Sequence, residues 1–428
     1  ARGGEPRQIT RAGSPPGGHG APVWTPDGRR IVFYSYDTNM AEIWSVAADA
    51  GDAVRAGPGG HLLQLARNAQ PFSDFVFSPD GKFAYCAGIF DGAAYGLWRV
   101  PVSPETGGPA GDPVKIEGTG ATPIRYLSIS ADGRRIAYST QSLTSDIWSV
   151  AVAPRDGSAA GAPFPLFEDR SLRKTNPSFS PDGRRIAFGV WRLGVPTNVW
   201  LMDADGRNAA PLTAEQTGVA LPGWMPDGDR VTFVSARQGG PKIWVKDLRS
   251  GEERPVYDID PAMSFHRFSP DGRRLAYNSR RDTDTVNVWA ASLDGGQPAR
   301  LTSDPEMAGF PCWSPDGRRI AFEFKRGADT HVAVMPADGG APVQLTSAGG
   351  QSWPHSWSPD GSKIAFAGSR DGRWNVFWVA ADGRAQKQLT NFTRPNAYVR
   401  YPAWSPRGDQ IVFEYAEVKG NVWVLDLK

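Results

Sequence analysis

Nine copies of one four-residue turn run through the 428-residue chain, and any fold must use all of them. They are Thr25-Pro26-Asp27-Gly28, Ser78-Pro79-Asp80-Gly81, Ser130-Ala131-Asp132-Gly133, Ser180-Pro181-Asp182-Gly183, Met225-Pro226-Asp227-Gly228, Ser269-Pro270-Asp271-Gly272, Ser314-Pro315-Asp316-Gly317, Ser358-Pro359-Asp360-Gly361 and Ser405-Pro406-Arg407-Gly408. Proline presets the dihedral of the second position, Asp bonds neighbouring amides, and Gly accepts the positive dihedral that closes a hairpin. Each copy therefore reverses the chain between two strands.

A short strand such as Pro402-Ala403-Trp404 precedes each turn, and an alternating apolar run such as Ile411-Val412-Phe413 follows it. A third strand carries Trp44, Trp98, Trp148, Trp200, Trp244, Trp289, Trp378 or Trp423, with Ala333 the exception, and a fourth reads Gln344-Leu345-Thr346 or Gln388-Leu389-Thr390. The turns are spaced by 53, 52, 50, 45, 44, 45, 44 and 47 residues, the period of a propeller blade. A lone four-stranded sheet cannot bury both faces, so neighbours must stack, and radial stacking leaves few open edges. The expected fold is all-β: a single closed β-propeller of four-stranded antiparallel blades over residues 1–428, with nine blades. The segment Arg7 to Thr10 is the spare fourth strand expected to complete the last blade. Eight blades with one repeat displaced, or two smaller propellers, are the alternatives.

Composition narrows the partners. Lys and Arg number 47 against 45 Asp and Glu, a net charge of +2, which gives no global reason to expect nucleic acid. No apolar run approaches the ~18 to 20 residues of a membrane span, so no membrane insertion is expected. Cys86 and Cys312 lie in different repeats without metal spacing, so neither a disulfide framework nor a zinc site is implied. The opening "ARGGEPRQIT" has neither an initiating Met nor a signal-peptide core, which reads as a trimmed N-terminus.

With these residues in hand, the chain resembles the TolB-like propeller repeat family, a WD40-like bacterial repeat whose blades carry a "WSPDG…IAF…IWVMDADG…LT" pattern. The likeness runs over residues 7–428. It implies the fold strongly and function weakly, since such blades serve in periplasmic TolB proteins that bind envelope proteins, before hydrolase domains, and in sensor regions of kinases and regulators. The chain departs from TolB itself in lacking a preceding α/β domain and in its number of repeats, and from the peptidases in having no hydrolase domain after Lys428. A periplasmic or otherwise extracytoplasmic, monomeric protein is what the resemblance implies.

No G-x-S-x-G, H-E-x-x-H, P-loop or C-x-x-C motif is present, and His19, His61, His266, His331 and His355 show no metal spacing. No catalytic residue, metal or cofactor is therefore assigned. Binding is sought where the repeat breaks. Trp191, Trp353 and Trp374 fall outside the packing positions, on the face opposite the turns, where indoles anchor partners or merely cover blade edges. Arg267, beside His266, stands where other repeats carry Ser, Gly, Cys or Ala, and needs an acid or the channel; Glu323 and Glu414 are candidate carboxylates. Arg125 and Arg400 enter first strands, and His355 lies near the channel. The pairs Arg29-Arg30, Arg134-Arg135, Arg184-Arg185, Arg273-Arg274 and Arg318-Arg319 read as a solvated rim. The expected function is a non-catalytic binding or sensor propeller for a protein partner or small polar or anionic ligand. A channel-centred hydrolase or lyase using His266 or His355 is the alternative, and the sensor part of a longer receptor, kinase or regulator a third.

Overall fold

The structure is a computed structural model that describes residues 8–10, 18–37, 40–48, 54–55, 75–88, 95–103, 110–116, 124–169, 172–192, 195–215, 218–238, 241–258, 263–281, 284–303 and 306–427. Every element among them is a β-strand or an isolated bridge, and the SPDG turns close as their chemistry requires. In the seventh, the Ser314 hydroxyl donates to Asp316 at 2.5 Å and accepts from the Arg319 amide at 2.9 Å, while Gly317 takes φ 68°. That hydroxyl bond, with the Arg318 amide, holds the Asp316 carboxyl below its usual range. In the ninth turn Arg407 replaces the Asp, and Ser405 donates to Asp409 instead. The threonine of the "LT" strands accepts from the third strand, as Thr346 does from the Val332 amide at 3.0 Å.

Where one nine-sheet ring was expected, contacts divide the chain into two compact units. The first comprises Ala1–Ser142, Leu193–Val195 and Lys419–Lys428; the second comprises Leu143–Arg192 and Pro196–Val418. The chain passes from one to the other inside two 17-residue strands, Arg135–Ala151 and Gln410–Asp426. In the first unit, Ile136 to Thr140 pair with Ile124–Ile129, and the Leu427 amide donates to the Arg134 carbonyl. In the second, Ile147 to Ser149 pair with Phe164–Phe167, and Val152 donates to the Asp409 carbonyl. The last sheet is thus completed by the third strand of repeat 3, with Trp148 packed on Tyr415 and Phe392. The N-terminal segment does not complete it: Gln8 to Thr10 form no strand, and Arg7 lies outside the described residues.

The physical reason is a missing turn. The hairpin at Asp371-Gly372 closes in two residues, both with positive φ. Between the second and third strands of repeat 3, Ser139 to Asp146 contain neither Gly nor Pro, so the strand runs straight on and its third strand joins another sheet.

In the second unit six inner strands follow one another: Arg173–Phe179, Val219–Trp224, Met263–Phe268, Ala308–Trp313, Gln351–Trp357 and Ala397–Trp404. Each lies beside the next, and the sixth lies beside the first. The sheets are stapled at the pre-turn aromatic. The indoles of Trp224, Trp313 and Trp357 each donate to a carbonyl of the preceding sheet, at Ser178, Arg267 and Cys312, at 3.1 Å. The second Arg of three turn pairs also reaches forward. Arg185, Arg274 and Arg319 lie over Trp224, Trp313 and Trp357 of the next sheet, at 5.3, 4.7 and 4.8 Å. Three of the ten arginines of the expected solvated rim are therefore inter-sheet straps.

Candidate binding site in the second unit

Each inner strand slips register once, and a bulge re-aims the side chain it leaves unpaired. At Asn176, Leu221, Phe310 and Tyr401 the backbone takes φ of 51 to 59°, a conformation that costs a non-glycine residue of order 1 kcal/mol. Each of the four precedes a proline. Side chains from non-adjacent sheets consequently meet, which they can do only in the space the inner strands enclose.

The centre of that space is one cluster. An Arg267 guanidinium nitrogen lies 2.7 Å from His355 Nε2, another donates to the His266 carbonyl at 3.0 Å, and the group lies 4.3 Å from the Phe265 ring. His355 Nε2 is also 3.2 Å from Asn176 Oδ1, and the His355 ring packs on Phe265 and Tyr401. With Arg267 as a cationic donor beside it, His355 is held as a neutral ring. Burial, with Arg267 alongside, holds His355 well below its ordinary pKa and His266 down to about 3. Burial also lowers Arg267 to about 10 and pushes the Cys312 thiol up to about 12. Both cysteines are buried free thiols. The centre therefore presents neutral imidazoles, an inert thiol and one cation.

A second cluster joins repeats 4, 7, 8 and 9. Trp353 and Trp374 pack at 4.3 Å between ring centroids, each partly exposed. Arg400 lies 5.5 Å from Trp353 and 4.4 Å from Tyr398. Its register partner is Glu414, a fully buried carboxylate 3.7 Å from Arg173 Nε. Burial raises the Glu414 pKa, while Arg173 and Arg400 pull it back. Glu323, also buried, is pushed up to about 7 by desolvation against hydrogen bonds from Thr330 and Trp353.

The structure thus gathers Trp353, Trp374, Arg400, Glu414 and Glu323, and separately joins Arg267, His266 and His355. Trp191 is partly exposed and pairs in register with Arg173, at the edge of the second cluster. Arg125 belongs to the other unit, opposite Ser139, and is brought to neither. His331 packs on Phe324, and His61 lies outside the described residues. Sequence reasoning missed Asn176, Phe265, Phe310, Tyr401 and Arg173. The signal for three of them was a residue followed by Pro, then a small residue, then the pre-turn aromatic. Among the described residues, no three His, Cys, Asp or Glu groups gather to hold a metal ion, and no helix is long and apolar enough to cross a membrane.

A family model described as the TolB beta propeller domain matches residues 118–260 and 258–427. The chain belongs to that family. It is 35% identical over 103 residues to the Tol-Pal system protein TolB of Anaeromyxobacter dehalogenans (strain 2CP-1), a stretch that is 24% of this chain and 23% of that protein. The match thus spans about a quarter of the relative's length. A solved structure of a putative TolB from Agrobacterium tumefaciens is similar in fold, with a TM-score of 0.52 and 21% identity over 65% of this chain and 99% of that one.

Proposed function

We propose that the second unit works as a six-bladed, non-catalytic recognition platform that docks a protein partner on the Trp353–Trp374 cluster. The carrying observation is that aromatic pair, partly exposed beside Arg400, whose register partner Glu414 is buried against Arg173. Rigid aromatics flanked by Arg are the residues that dominate binding energies, and sheets stapled by indole hydrogen bonds meet the ordering cost on folding. The centre supports binding over catalysis, because the His355 lone pair is engaged by Arg267 and the Cys312 thiol is too weakly acidic to act as a nucleophile. A periplasmic setting belongs to the same proposal and rests on the likeness to Tol-Pal system proteins.

The test is selection from a displayed random-peptide library against the whole chain, with affinities then measured for the Trp353→Ala/Trp374→Ala variant. Enriched peptides should lose at least tenfold in affinity. Peptides that bind the variant unchanged would move the docking surface elsewhere.

A further inference from the structure

Arg267 is the one guanidinium at the centre of the enclosed space, and its charge has no carboxylate at ion-pair distance among the described residues. Its neighbours are the His266 carbonyl, the neutral His355, Cys312, Tyr401 and the Phe265 ring. A buried cation without a counter-ion is costly, and the other two arginines nearby, Arg173 and Arg400, do flank an acid in Glu414. Of the five N–H donors of a guanidinium, two are used here. Arg267 nevertheless keeps part of its surface exposed, and its Nε, without a hydrogen-bond partner, is not sealed from solvent. The surrounding walls are aromatic, with Phe265 on Phe310 at 5.2 Å and Tyr401 on His355 at 5.3 Å.

We propose that the space enclosed by the six inner strands is a binding site for an organic carboxylate, with Arg267 as counter-ion and the partly exposed Phe310 and Tyr401 holding the ligand's apolar body. A carboxylate matches the two-pronged guanidinium, and an organic acid, unlike inorganic phosphate, also carries an apolar body onto the flanking rings. Arg267 is pre-aimed for it: His355 and the His266 carbonyl fix the fork, and Trp313 fixes the backbone by donating to the Arg267 carbonyl. The inference rests on reading the second unit as a binding scaffold, and it names a different place and chemistry from the Trp353–Trp374 surface. Two sources carry this chemistry, the C-terminus of a peptide and a small free acid, and the probes below distinguish them.

The experiment is calorimetric titration of the whole chain with four probes: N-acetylphenylalanine, its C-terminal amide, phenylacetate and inorganic phosphate. The free acids should bind, with the amide and phosphate at least tenfold weaker. Arg267→Met should weaken the acids at least tenfold and leave the amide unchanged. Should Arg267→Met not fold, Arg267→Lys, which keeps the charge without the fork, should bind the acids several-fold more weakly than the native chain. A tenfold preference for N-acetylphenylalanine over phenylacetate identifies a peptide C-terminus, and the reverse identifies a small acid. Equal binding of acid and amide, phosphate bound as tightly as the acids, acids unaffected by substitution of Arg267, or no acid bound at millimolar concentration would each overturn the proposal. The Trp353→Ala/Trp374→Ala variant should bind the small acids within twofold of the native chain. Loss of peptide docking and loss of acid binding are thereby separate failures.

Discussion

The two units are built from one repeat, but the first leaves two of its aromatics open, although it buries Trp98 and Phe77 at 7% each. In the second unit the pre-turn Trp313 is 8% exposed and the third-strand Trp378 is 5% exposed. In the first, Trp24 and Trp423 occupy the same two repeat positions at 56% and 49%. The residue is the same, so the difference lies in what covers it. An indole buries ~150 to 250 Å², which at about 25 cal/mol per Å² corresponds to roughly 4 to 6 kcal/mol. A repeat's aromatic yields this only when a neighbouring sheet closes over it, so stability here is a property of contacts between repeats.

The largest expected break in that comparison is acid sensitivity. His266 is buried with its pKa lowered to about 3, and His355 is lowered as well. The unfolded chain takes up these protons near pH 6.5, and the folded unit does not. The stability is therefore fully present above pH 6.5 and lost as pH falls toward 3, by roughly 4 to 5 kcal/mol for His266 alone. Pulsed hydrogen exchange in urea, resolved by unit, should show the second unit's midpoint falling between pH 7 and pH 4.5. A midpoint that does not move would exclude buried neutral histidines there. Next in size, Trp313→Ala should cost about 3 to 5 kcal/mol, while Trp24→Ala should cost under ~1 kcal/mol. Equal losses at the two sites would mean that something covers Trp24 in solution.

Much of the second unit was legible, because its strands, turns and staples follow from the repeated letters. The exchange of third strands was not. Asp146-Ile147-Trp148 and Asn421-Val422-Trp423 satisfy the same pattern, and nothing in either says which second strand it will lie beside. Two signals were there to be weighed: the missing Gly or Pro between Ser139 and Asp146, and the step in turn spacing from 50–53 to 44–47 residues near the unit boundary. Trp353, Trp374, Arg400 and Glu414 could be singled out as candidates because they interrupt the repeat. Asn176, Phe310 and Tyr401 were missed because their placement depends on a bulge with positive φ, a backbone state that propensity discourages for such residues.

Glu323 sharpens the comparison from the acidic side. Its folded pKa of about 7 lies above the ordinary 4.5, so the folded unit holds a proton that the unfolded chain has released. This contribution favours the folded state below pH 4.5 and is lost as pH rises through 7. Glu323→Gln should therefore gain on the native chain by about 3 kcal/mol between pH 4.5 and 7.5. Parallel pH profiles for the two proteins would place an ionised, well-solvated carboxylate at this position.

The smallest effect concerns the arginines after the turns. Arg319 lies over Trp357 and donates to the Gly361 carbonyl of the next sheet at 3.2 Å. Arg30, at the same place in repeat 1, turns back to the Ser45 hydroxyl of its own sheet at 3.0 Å. A cation over an indole is worth ~0.5 to 1 kcal/mol and a hydrogen bond about 1 kcal/mol. Arg319→Met should accordingly destabilise the second unit by about 1 to 2 kcal/mol, with a loss that persists in 0.5 M salt because the strap is partly buried. Arg30→Met, which gives up bonds to Ser45 but no contact with a neighbouring sheet, should cost the first unit less, about 0.5 to 1 kcal/mol. Matching losses would show that the strap adds nothing beyond what any exposed arginine adds to its own strand, and that the indole staples alone hold the sheets together.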